Sequence, residues 1–571
     1  MKRVLVGLLA TLGVLTLLLA GGAALTAWLL LPGQPELPER IVLALDLREG
    51  LDEAAADDPL GLLGLAGPTF TDVILGLDRA ARDPRVKGLL AQLNGEGPGL
   101  AQTQELRTAL AQFRAQGKFA YAYADSFGEF GPGTRGYYLA TAFEQIHLQP
   151  IGSLGLTGIL IETPLLRGLF EKLGVEPSGD KRGAYKSAAD MFLEEELTPA
   201  HKESLESLAD SIDQQIRAGI GDGRALEPAL VARLIDDGPY FALEAQQAGL
   251  VDRLSYWDEV VGQAEQAAGF GSELVGLADY VQASEALLDD APVIALVQGI
   301  GQIQGGKSDY GPAGGWVMGA DTVAGAIAAA IDDPQVEAIL FRIDSGGGSA
   351  VASETIGREV RRAVEAGKPV IASMGDVAAS GGYWIAMDAS KIVAGAGTLT
   401  GSIGVFAGKP VLDRFWQDIG VVWGRVQRGA NADMWSTGLD YDARGRARLE
   451  AFLDRIYDAF VEGVARGRGL SQDAVAKAAQ GRVWTGAQAK ELGLVDELGG
   501  FTRALELARE AIGVGSDRAV ELRLFPPVRP PWERALDLLG GRGIALDALR
   551  PLLLRWLAVP GVLSAPPLSL R

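Results

Sequence analysis

Ile41-Val-Leu-Ala-Leu-Asp-Leu47 follows a linker marked by Pro32, Pro35 and Pro38, and it opens an alternation that sets the fold. An apolar run of this length reads as a strand. Phe70 to Arg82 then has helical spacing, Gly88 to Leu93 is a second strand, Leu100 to Gln116 a helix and Phe119 to Ala124 a third strand. The same order returns at Val293–Val297, Val323–Ile331, Ala338–Ile343, Ala350–Ala366 and Val370–Ser373. Strands alternating with helices predict α/β layering, here written twice.

Local matches support the duplication. Asp83-Pro84 answers Asp333-Pro334, and Gly136-Tyr137 answers Gly382-Tyr383. Gly152-Ser-Leu-Gly155 answers Gly401-Ser-Ile-Gly404, Arg182-Gly183 answers Arg428-Gly429, and Gly249-Leu-Val-Asp252 answers Gly493-Leu-Val-Asp496. Each match alone is weak. Five in the same order at nearly constant spacing are evidence of a repeat. The expected organisation is an anchor and linker over 1–40, a first repeat over 41–288, a second over 289–515 and a tail over 516–571.

Composition removes several classes of function. The chain has 571 residues and a formal net charge of −21, a sign that disfavours nucleic acid as a partner. It has no cysteine, which excludes a thiol nucleophile, a thiolate metal site and a disulfide framework. Only two histidines exist, His147 and His201, and no HExxH, so a zinc hydrolase is not expected. A Ser-His-Asp triad stays formally open to either histidine.

The chain begins with an uncharged apolar run from Val4 to Leu31, preceded by Lys2 and Arg3. A bilayer span needs about 20 residues, whereas the apolar core of a cleavable signal peptide has roughly 7–15. The run continues past the small residues at Gly21 to Ala24 through Trp28, so an uncleaved anchor is expected. The basic flank places the N-terminus in the cytoplasm and the remaining chain outside it.

Two segments of the second copy carry candidate chemistry. Met374-Gly-Asp-Val-Ala-Ala-Ser380-Gly-Gly-Tyr-Trp384 follows a strand and enters a helix. A serine flanked by small residues at such a turn suits a nucleophile, its neighbouring N–H groups facing an oxyanion, or a small residue chosen for close packing. The segment alone leaves both open. Ile343-Asp-Ser-Gly-Gly-Gly-Ser349 ends a strand and opens a helix, and its glycines suit either close approach to a bound chain or a simple flexible turn. The first copy has Thr134 opposite Ser380. It also carries Lys186 in Gly183-Ala-Tyr-Lys-Ser-Ala-Ala-Asp-Met, where the second copy has Ala432. Serine in one copy and lysine in the other is what a duplicated ancestor leaves when it keeps one composite site.

Ser345–Glu354, Ser373–Phe406 and Gly183–Met191 resemble the long, tandem-repeat form of bacterial signal peptide peptidase A, over about residues 41–510 and the anchor. The resemblance implies two tandem ClpP/crotonase-like repeats behind one N-terminal transmembrane helix, and a serine endopeptidase that degrades signal-peptide remnants and other extended apolar peptides. It implies Ser380 as nucleophile, Lys186 as general base, an oxyanion hole from Gly381 with Gly347 or Gly348, and Ser402 positioning the lysine. It further implies location in the bacterial inner membrane with the catalytic part on the extracytoplasmic side. Self-assembly as a homo-oligomer, such as a ring-like tetramer, is also implied, with no cofactor or metal. Gly346 departs from the pattern, which has Pro there.

Two rival functions remain open: an inactive scaffold of the same fold, and a nucleotide-binding membrane protein. The second rests on Gly301-Gln-Ile-Gln-Gly-Gly-Lys307-Ser308, a G-x-x-x-x-G-K-S match, with Asp344 as a mimic of the magnesium motif. A phosphate loop must open a helix, and Asp309-Tyr-Gly-Pro-Ala-Gly-Gly315 is unsuited to one. Leu549 to Leu557, beyond a Pro-rich stretch, is expected either to dock on its own domain or to lie as an amphipathic piece on a membrane or neighbour.

Overall fold

The computed structural model describes residues 37–54, 67–284, 291–310, 315–515, 518–527 and 569–570. The expected anchor at Val4–Leu31 and the apolar stretch Leu549–Leu557 lie outside the described residues. Among the described residues no helix is long and apolar enough to cross a membrane.

The first unit runs β1 (Ile41–Asp46), α1 (Phe70–Arg82), β2 (Val86–Leu93), α2 (Leu100–Ala115), β3 (Phe119–Ala124), β4 (Gln145–Leu148), β5 (Glu176–Arg182), α3 (Pro199–Arg224), β6 (Arg253–Leu254), α4 (Trp257–Ala268) and β7 (Glu273–Gly276). Six of the strands form a parallel sheet in the order β7-β1-β2-β3-β4-β6. Helix starts follow local chemistry. Thr69 caps α1 with its hydroxyl on the Asp72 N–H, while the Asp72 carboxylate accepts from the Thr69 N–H at 2.9 Å. One face of α1, including Phe70, Val73, Ile74 and Leu77, is buried against the sheet.

The second unit repeats the plan with β8 (Val293–Ile300), α5 (Ala320–Asp332), β9 (Val336–Ser345), α6 (Ala350–Glu365), β10 (Val370–Ala379), β11 (Lys391–Ala394), β12 (Leu399–Gly401), β13 (Val405–Val411), β14 (Val483–Thr485), β15 (Glu497–Leu498), α7 (Phe501–Ala511) and β16 (Glu521–Phe525). The parallel path β16-β8-β9-β10-β11-β15 reproduces the order of the first sheet strand for strand. β12 adds to the far end of β10, with β14 antiparallel beside it. Beyond residue 515, β16 still belongs to this sheet. Its β16 pairs with β8 as β7 pairs with β1. Gly301–Ser308 opens no helix: Gln302–Gln304 and Asp309–Tyr310 are strands of a small separate sheet, and Lys307 is exposed.

The two units share a core. Along β9, Ile339, Phe341 and Ile343 face the second unit's own core, whereas Ala338 and Leu340 join the cluster built on α1, α2 and α7. Arg342, on that shared side, is buried. It bonds both Glu53 oxygens at 2.6 and 2.9 Å and Glu105 at 2.9 Å. Glu105 also accepts from the Phe501 N–H at the start of α7 (2.7 Å). Asp376 of the second unit caps α2 of the first, accepting from Ala101 N (2.7 Å) and Gln102 N (3.3 Å). The helix's own cap, Gly99, offers no side chain, and a Cβ there would lie 1.7 Å from the Asp376 carboxylate.

Candidate active site

β10 delivers Ser380 to a sharp turn before the short helix Gly381–Trp384. The serine has φ 55° and ψ −116°, a backbone region that costs a non-glycine residue on the order of 1–3 kcal/mol. Its N–H donates to Gly401 O (2.8 Å) and its carbonyl accepts from Trp384 N (2.9 Å), which holds the turn.

Lys186 reaches this turn from the other unit. β5 and β13 pair antiparallel from Arg182↔Val405 to Glu176↔Val411, a two-stranded bridge between the units. Just past it, Tyr185 N donates to Gln480 O (2.8 Å), and Gly481 sits so close that a Cβ would lie 2.6 Å from Lys186 Cα. Gly481 also has φ +81°. Ser402 N donates to Arg482 O at 2.7 Å, so the 480–482 loop locks the lysine segment and Ser402 together.

The result is a buried lysine–serine pair. Lys186 Nζ lies 2.8 Å from Ser380 Oγ, 3.0 Å from Ser402 Oγ and 3.0 Å from Ser402 O. Both Lys186 and Ser380 are 0% exposed. Burial pushes the lysine down to about 7, because an ammonium loses its hydration there. A neutral amine has two N–H bonds and one lone pair. With the N–H groups on the two Ser402 oxygens, the lone pair is left for the Ser380 hydroxyl.

Gly347 and Gly348 also lie at this turn. A Cβ on Gly347, at φ +103°, would come 2.6 Å from Gly381 N and 3.0 Å from Ser380 Cβ. The Gly347 N–H is committed to Ser345 Oγ (3.1 Å). The N–H groups of Gly348 and Gly381 donate to no other described residue. Neither histidine belongs to the site: His147 pairs with Ser255 (3.2 Å) and His201 lies 3.4 Å from Asp190. The role of Gln480–Arg482 was not read from the sequence. Gly481 had no local signal to mark it, because its need for glycine comes from a chain segment almost 300 positions away.

Comparison with known proteins matches residues 112–271 and 362–515 to the model of peptidase family S49. The chain is 33% identical over 471 residues to Protease 4 of Haemophilus influenzae, covering 79% of this chain and 74% of that protein. It is 32% identical over 492 residues to the chloroplastic serine protease SPPA of Arabidopsis thaliana, covering 84% and 70%. Protease 4 of Salmonella typhi is 31% identical over 501 residues, covering 83% and 79%. Among solved structures, a ClpP1 mutant from Listeria monocytogenes aligns over 37% of this chain and 94% of its own, at 16% identity and a TM-score of 0.24.

Proposed function

The chain belongs to peptidase family S49 and is a serine protease; on that premise we propose that it is a membrane-anchored endopeptidase that cuts signal-peptide remnants and other extended apolar peptides with a Ser380/Lys186 dyad. The observation that carries the reading is the buried Nζ–Oγ contact of 2.8 Å, with the amine lowered to about 7 by burial.

In this reading neutral Lys186 takes the Oγ proton as Ser380 attacks the scissile carbonyl. The new oxyanion accepts hydrogen bonds from the N–H groups of Gly381 and Gly348, whereas the Gly347 amide stays on Ser345 and shapes the loop. The lysine ammonium then gives its proton to the departing amine, leaving the acyl group on Ser380. Water enters, loses a proton to Lys186 and attacks the ester, and the proton returns to Oγ as the acid leaves. Ser402 aims the lone pair by accepting from both remaining N–H bonds. The uncharged run Val4–Leu31 supplies the anchor and the basic flank the orientation, with the catalytic units outside the cytoplasm of a bacterial cell and self-associated.

Labelling by a serine-directed fluorophosphonate tests the reading. The full chain is expected to label, and Ser380→Ala and Lys186→Ala are each expected to lose the label and peptide cleavage. Labelling that survives in Ser380→Ala overturns the assignment.

A further inference from the structure

Both units have the same turn, and only the second holds a serine there. In the first, the helix Thr134–Ala140 starts where the second has Ser380, so Thr134 answers Ser380 and Arg135 answers Gly381. The Gly136 N–H donates to Gly95 O at 3.0 Å, which places the loop Gly95–Pro98 as the counterpart of Ser345–Gly348. Beside this turn lies a cavity of about 290 Å³ whose lining includes Leu100, Ile159, Ile212 and Ile216 together with Thr134, Arg135 and Glu96.

Arg135 is half-buried, and burial disfavours its charge. Its Nε donates to Glu96 O, and a terminal nitrogen reaches Gly97 O at 3.5 Å. Asp376 and Glu96 are the carboxylates whose fields it feels, and neither forms an ion pair with it among the described residues. A guanidinium stays protonated in a protein, so a cation with unused N–H groups borders an apolar cavity. Thr134 Oγ1 accepts from Thr157 N at 3.2 Å, and among the described residues its own proton has no acceptor. A partly desolvated cation without a counter-ion favours an anionic ligand.

We propose that this cavity is a second, non-catalytic site that binds the C-terminal end of a peptide. Arg135 and the Thr134 hydroxyl hold the free α-carboxylate, and Leu100, Ile159, Ile212 and Ile216 take the last apolar side chain. The volume suits one terminal residue rather than a long acyl chain. Every cut by a serine protease creates such a carboxylate, so peptide ends are the chemistry at hand. The site does not depend on Ser380 or Lys186 being the catalytic pair.

The test uses the full chain carrying Ser380→Ala, and a fluorescent heptapeptide ending in leucine, as the free acid and as the C-terminal amide. Anisotropy titration is expected to show the acid binding about tenfold or more tighter, the scale of a hydrogen bond to a charged group. Arg135→Gln is expected to bring acid and amide to the same affinity. Ile159→Asp, which leaves the bonds of Arg135 intact and sets a repelling carboxylate in the lining, should do the same and decides the matter if Arg135→Gln fails to fold. Decanoate is expected not to displace the peptide. Equal binding of acid and amide, a preference that survives a folded Arg135→Gln or Ile159→Asp, or displacement by decanoate overturns the proposal. Cleavage of the peptide by the Ser380→Ala chain would overturn the dyad and leave the site standing.

Discussion

Titrating Lys186 gives the sharpest check on the dyad, because burial holds the amine at about 7 whereas an ordinary lysine sits at 10.5. Only the neutral amine can accept the Ser380 proton, so the acid limb of kcat/KM follows the neutral fraction. For a group titrating near 7 that fraction is ~1% at pH 5, ~50% at pH 7 and ~99% at pH 9. Cleavage of a soluble apolar peptide is therefore expected to rise about fiftyfold from pH 5 to 7 and no more than about twofold from 7 to 9. A lysine at its ordinary value predicts instead a further rise of about a hundredfold between pH 7 and 9. The sign follows from the cause: desolvation penalises the ammonium, so activity is lost as pH falls through the lowered value and is retained above it. The assay is initial rate at low substrate across pH 5–9.5, with unfolding monitored at each pH. A rate that climbs more than tenfold above pH 8, or near-wild-type turnover in Lys186→Arg, refutes a neutral lysine base, since guanidinium does not deprotonate in this range.

Ser402→Ala removes one of two acceptors that aim the amine, and is expected to lower kcat roughly 10- to 100-fold with KM little changed in steady-state kinetics. Gly481→Ala pushes a Cβ against the Lys186 backbone at a position with φ +81°, and is expected to cut activity by a similar factor, whereas Ala432→Ser on the exposed counterpart segment leaves activity unchanged. Asp376→Ala leaves the first N–H groups of α2 without their cap, and denaturant unfolding should show a loss of about 1–3 kcal/mol. A chain shortened to begin at Glu39 is expected to stay in the soluble fraction without detergent while still cleaving peptide; a folded chain that pellets with membranes contradicts a single N-terminal anchor.

Much of this molecule was legible in one dimension. Strand and helix identity in each repeat follows from apolar runs and helical spacing, which are local properties. Phe70–Arg82 and Phe119–Ala124 coincide with the observed elements. The duplication was visible because paired glycines must recur wherever the same turn recurs, and Ser380 and Lys186 stood out as residues each present in only one copy. What the linear reading could not reach is every relation that spans the two repeats. That Glu521–Phe525 joins the second sheet beside β8 is a matter of strand pairing, which composition does not show. Which of the Gly347 and Gly348 N–H groups is left without a partner depends on the one Ser345 has already taken, a contact made only once the loop is folded. Gly99 and Gly481 look like ordinary turn glycines until Asp376 and Lys186 arrive beside them from the other unit. The lowered basicity of Lys186 has the same origin. A side chain's chemistry is set by what surrounds it, and Lys186 loses its water only where the two halves of the chain close over it.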